Sequence, residues 1–108
     1  MVSFDDFNKL EIRIGTITLA DKVPDTDRLL RLIFDFGSFN RQIMSAIAHF
    51  YPDPSVLIGK QMPVLVNLTY RNFKGFESQG MIIGIDNEEN KIILLTPEEK
   101  APNGALVH

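Results

Sequence analysis

Apolar and polar residues alternate with a period of two along most of this chain, which is the pattern of strands with one buried face. The clearest run is LLRLIFDFG, where Leu30, Leu32, Phe34 and Phe36 alternate with Arg31, Ile33 and Asp35 and Gly37 ends the run. Residues 39–47 (FNRQIMSAI) read as the returning strand of a hairpin around Gly37-Ser38. In EIRIGTITLAD, Ile12, Ile14, Ile17 and Leu19 share a face if Gly15-Thr16 forms a bulge, a role that suits glycine. MPVLVNL is almost continuously apolar, as expected of a strand covered on both faces, and Pro63 is tolerated near its start. GMIIGID and KIILLTP flank the polar turn Asn87–Asn90 and predict a second hairpin. Helical signals are short. Ser3 caps a turn or two over Phe4–Leu10, with Asp5 and Asp6 at the favourable end and Phe4, Phe7 and Leu10 in one stripe. Ala46–Tyr51 gives another turn, stopped by Pro52 and Pro54. A bulged strand, a hairpin, a short helix, a strand and a second hairpin predict an all-β barrel of the OB type.

Composition narrows the chemistry. The 108 residues suit a single domain, 1–108. The apolar fraction of 44% and charged fraction of 23% exclude a disordered chain. No apolar run is long enough to cross a membrane as a helix, so no membrane partner is expected. The opening MVSFDDFNKL has neither the basic nor the apolar region of a signal peptide, and a cytoplasmic location is expected. With no cysteine, disulfides, zinc ribbons and thiol catalysis drop out. His49 and His108 lie at no ligand spacing, and the seven glycines form no phosphate loop. No metal, cofactor or catalytic residue is expected; the chain is read as a binding protein and not an enzyme.

The net charge of −3 conceals a segregation. Residues 1–27 sum to −3, residues 28–75 to +4 and residues 76–108 to −4. Screening removes distant charges beyond about 8 Å, so a local basic face can hold phosphates on an acidic protein. The basic part holds NLTYRNFKGFESQGM, where Arg71 and Lys74 are interleaved with Tyr70, Phe73 and Phe76. Cations that meet phosphates and rings that stack on exposed bases are the means of holding unpaired or looped nucleic acid. The same three rings could instead plug the open end of a barrel.

At these residues the chain resembles the tRNA-binding domain family. That family includes structure-specific tRNA-binding proteins, the C-terminal domain of many bacterial methionyl-tRNA synthetases and the CsaA-type export chaperones. The matching stretches run in one order: DDFNKLEIRIGTI, DTDRLLRLIFDFG, RQIMSAIA, LIGK, NL…FKGFESQGM and LLTPEEKAPNGALV. The resemblance implies tRNA binding through Asn67, Arg71, Lys74, Ser78 and Met81 of the loop and through Arg41, Gln42 and Ser45 of the strand before it. Asp27, Arg28 and Leu29 match a signature of structural character. Residues 1–10 and 97–108 would serve as dimerisation extensions of a homodimer. Two positions depart from the family pattern: Ala46 replaces a glycine and Thr69 a lysine, which removes one cation.

Two functions follow as expectations. The first is a non-catalytic, structure-specific tRNA-binding homodimer, alone or with an aminoacyl-tRNA synthetase; DNA is not an expected target. The second is a CsaA-like chaperone that holds unfolded or exported peptides on Tyr70, Phe73, Phe76 and Met81. A full synthetase is excluded, because 108 residues cannot hold a nucleotide-binding catalytic domain as well as this barrel.

Overall fold

A computed structural model describes all residues, 1–108. A single helical turn, α1 (Phe4–Phe7), is followed by nine strands: β1 (Ile12–Lys22), β2 (Leu30–Asp35), β3 (Asn40–Ser45), β4 (Gln61–Leu65), β5 (Arg71–Phe73), β6 (Phe76–Ser78), β7 (Met81–Ile82), β8 (Gly84–Asp86) and β9 (Ile92–Leu94). Two short 3-10 turns, Ala48–Phe50 and Pro54–Leu57, join β3 to β4. The main antiparallel sheet has the order β3-β2-β1-β4-β7 and curls into a nearly closed barrel, the all-β OB architecture expected from the pattern. β5 and β6 form a separate hairpin, as do β8 and β9.

The period of two becomes the core. Leu30, Leu32, Phe34 and Phe36 are all buried, and they meet Ile17, Ile43, Met62 and Val64 in one cluster. Each such side chain contributes about 1.5–3 kcal/mol relative to exposure, so these few positions dominate the stability. Gly37 closes the β2–β3 turn at a φ of 90°, and its N–H is taken by the Asp35 carboxylate at 2.7 Å.

The irregularities differ in place from the sequence expectation. The bulge in β1 falls at Thr18, between Ile17 opposite Phe34 and Leu19 opposite Ile33. Gly15 instead lies in regular pairing with Met62. Its missing side chain makes room for the Phe36 ring: a Cβ there would stand 2.7 Å from a ring carbon. The prolines after Tyr51 stop the first 3-10 turn, but Pro54 then opens the second, with Asp53 as its cap at 3.1 Å from the Ser55 nitrogen. The helical stripe at Phe4–Leu10 condenses to one turn, which Ser3 caps through the Asp6 N–H at 3.0 Å.

The last residues return to β1. The Ile14 N–H donates to Ala105, Gly104 to Ile14 and Val107 to Ile12, at 2.7–2.9 Å. Residues 104–107 thereby flank the first half of β1 opposite β4.

Candidate nucleic-acid interface

The stretch from Asn67 to Met81 leaves the main sheet after β4 and returns to it as β7. Within it, β5 and β6 pair in register, Arg71 with Ser78 and Phe73 with Phe76. The two-residue turn is Lys74-Gly75, with φ of 55° and 88°. Positive φ at both positions twists a tight hairpin the same way as its strands. The Asn72 side chain accepts the Gly75 N–H at 2.9 Å and secures the turn. Lys74 therefore stands in the left-handed region, where a residue with a Cβ is held at a cost of about 1–2 kcal/mol. It is exposed, as is Arg71, whose guanidinium lies 4.8 Å from the centre of the Phe73 ring.

A second set of polar residues from the same motifs is turned inward. Met44 donates its N–H to the Ser78 hydroxyl at 3.0 Å, and that hydroxyl donates to the Gly80 carbonyl at 3.1 Å. Ser78 is 4% exposed. Gln42 donates its side-chain amide to the Glu77 carbonyl and accepts from Arg31 at 2.7 Å; its backbone N–H donates to the Gln79 side-chain oxygen at 2.9 Å, and its carbonyl accepts the Gln79 N–H at 2.8 Å. Arg41 donates to the carbonyls of Val66 at 2.9 Å and Gln79 at 3.1 Å. Gly80 packs on β4 so closely that a Cβ would lie 2.6 Å from the Leu65 oxygen. These bonds close the barrel between β3 and the returning segment, where no strand ladder does so.

Placement of the other expected residues is as follows. Ser45 is half-buried at the end of β3, opposite Leu30. Asn67 is exposed but binds within the chain, accepting from the Glu11 N–H at 2.8 Å and donating to the Lys9 carbonyl at 2.7 Å. Tyr70 and Met81 are roughly half exposed, at 45% and 48%. Phe73 and Phe76 are half-buried. Lys74 and Arg28 border one groove with Ala46, together with Asp25 and Asp27. Leu68, Phe73 and Met81 line a small apolar cleft beside Arg71.

The cations of the basic segment thus separate. Arg31 is drawn toward Asp21 at 4.0 Å, and Lys60 borders a different groove beside Glu98 and Glu99. Of the three ion pairs in the structure, none involves Arg28, Arg41, Arg71 or Lys74. No three His, Cys, Asp or Glu side chains come together as a metal site. Sequence reasoning missed Gln79, which supplies both its side chain and its backbone to the closure; its place directly after Ser78 was the available signal.

Comparison with known proteins gives a consistent picture. The family model for the tRNA-binding domain matches residues 12–106. The methionine–tRNA ligase of Flavobacterium johnsoniae is 45% identical over 108 residues, which is 100% of this chain and 15% of that enzyme. The chain thus spans about 15% of the length of the curated relatives it matches. The crystal structure of the MetRS-related protein of Pyrococcus horikoshii superposes with a TM-score of 0.93 at 38% identity, covering 100% of this chain and 98% of that one. The chaperone CsaA of Bacillus anthracis superposes with a TM-score of 0.89 at 35% identity, covering 100% and 99%.

Proposed function

Since the chain belongs to the tRNA-binding domain family, we propose that it is a non-catalytic, structure-specific tRNA-binding module that holds phosphates on the face bearing Arg28, Arg71 and Lys74. The observation that carries this reading is the freedom of these exposed cations, which no carboxylate neutralises within ion-pair distance. Arg71 and Lys74 meet phosphates, while Tyr70 and Met81 offer exposed surface for an unstacked base. Asp25 and Asp27 border the same groove as Arg28 and Lys74 and limit its positive charge, so binding is weak and depends on shape and salt rather than on base sequence.

The active form is a homodimer in the cytoplasm. Its contact surface comes from residues 1–10 and 97–108, where Phe4, Phe7, Leu10 and Leu106 stand exposed and no residue of α1 is buried within its own chain. A second copy would cover this apolar stripe and present two binding faces to one tRNA, raising apparent affinity. An aminoacyl-tRNA synthetase is a further partner in this reading, given the ligases among the relatives.

Electrophoretic titration with bulk tRNA at two salt concentrations, beside sedimentation of the free protein, tests this. A dimer whose affinity falls steeply with salt is expected. An intact dimer without a shift at low salt overturns the tRNA reading, and a monomer that still binds overturns only the dimer. A second reading, capture of extended peptides, is favoured by the apolar cleft of Leu68, Phe73 and Met81 and by the likeness to CsaA. Peptide binding that persists at high salt would select it, because apolar contacts are not screened.

A further inference from the structure

Arg41 differs from every other cation of the basic segment in what surrounds it. One guanidinium nitrogen, Nη1, donates to the carbonyls of both Val66 and Gln79. These two residues are the stems of the excursion: Val66 follows β4, and Gln79 follows β6. The guanidinium also lies over two rings, 4.9 Å from the centre of Phe39 and 5.6 Å from that of Tyr70. Phe39 is itself stacked on Phe36 at 5.2 Å, and Phe36 is in the core. A chain of ring and cation contacts therefore leads from the core through Arg41 to an exposed tyrosine. The β5–β6 hairpin has no ladder to the main sheet, and an isolated two-stranded hairpin is marginal in water.

We infer that Arg41 is a positioning residue: it clamps the base of the hairpin and orients Tyr70, and through them sets where Arg71 and Lys74 stand, without touching a phosphate itself. Its consequence for affinity rests on the tRNA reading above; its consequence for the hairpin does not. The role needs a planar, delocalised cation that stacks on rings while donating in its own plane. A lysine keeps the charge and loses that geometry.

Two measurements on Arg41→Lys, with Arg41→Ala and Arg71→Ala beside it, test the inference. The first is amide hydrogen exchange. Residues 71–78 should exchange at least roughly tenfold faster in Arg41→Lys, because stacking and charged hydrogen bonds are lost there, while β1 and β2 keep their protection. The second is titration of bulk tRNA at several salt concentrations. Arg41→Lys and Arg41→Ala should both bind roughly tenfold more weakly with the wild-type salt slope, whereas Arg71→Ala should lower the slope by about one unit. Arg41→Lys with wild-type affinity, together with a slope lowered in Arg41→Ala, would make Arg41 a phosphate contact and overturn the inference. Unchanged hairpin exchange in Arg41→Lys overturns it as well. If the wild type fails to bind tRNA, the functional reading falls, and hydrogen exchange still decides whether Arg41 holds the hairpin.

Discussion

The seam that closes the barrel and the hairpin that projects from it are built from the same short motifs, yet they use polar groups in opposite ways. In the seam, Arg41, Gln42, Ser78 and Gln79 direct their hydrogen bonds at backbone and at each other, and no buried side-chain polar atom lacks a partner. In the hairpin, Arg71 and Lys74 project with no carboxylate partner, and Lys74 does so from a backbone conformation that disfavours it. Spent polar groups mark where the fold is made, and unspent ones mark where a ligand can be met. A motif shared across a family can therefore hold both kinds side by side: Ser78 is structural, and Lys74, four residues before it, is available.

The sharpest break falls on the seam. Gly80→Ala places a Cβ against the Leu65 carbonyl and should destabilise by about 3 kcal/mol, lowering Tm by about 10 °C or more in a calorimetric scan. Ser78→Ala leaves the Met44 N–H buried without an acceptor and should cost about 1–3 kcal/mol in denaturant titration. Neither change should alter the salt slope of any residual tRNA binding. Lys74→Asn inverts the comparison. Asparagine suits the first position of this turn, so stability should hold or rise by up to about 1 kcal/mol, while the tRNA salt slope falls by about one unit. A Lys74→Asn protein with an unchanged slope would remove the hairpin tip from the interface.

The smallest effect lies outside both regions. Hydrogen bonds from Lys9 and Ser3 hold the Asp6 carboxyl below its usual range, and those from Ser55 do the same for Asp53. A carboxyl with a lowered native pKa stabilises the fold above its unfolded value and loses that contribution as pH falls through the native one. Both groups are solvent-exposed, so an acid titration should show only a slight loss below about pH 4, confined to α1 and the second 3-10 turn.

What could be read from the sequence was the part with local causes. Leu30 to Phe36 alternate because one face is buried, and the Asn87–Asn90 turn separates two strands that pair in register, Asp86 with Ile92. The bulge has no such local cause: Gly15, the glycine expected to mark it, instead leaves room for a ring from 21 residues further along. The candidate site divides likewise. Arg71 and Lys74 stood out as cations among aromatics, and they are exposed. That Arg41, Ser78 and Asn67 have partners within the chain depends on bonds to residues 25–58 positions away, which no local pattern encodes.

Residues 104–107, bonded along the outer side of β1, bear on how the chain can be shortened. They occupy the N–H and C=O of Ile14 and the C=O of Ile12, which would otherwise be offered to any passing strand. A version cut after Lys100 would keep every strand of the barrel and still uncover a template for aggregation.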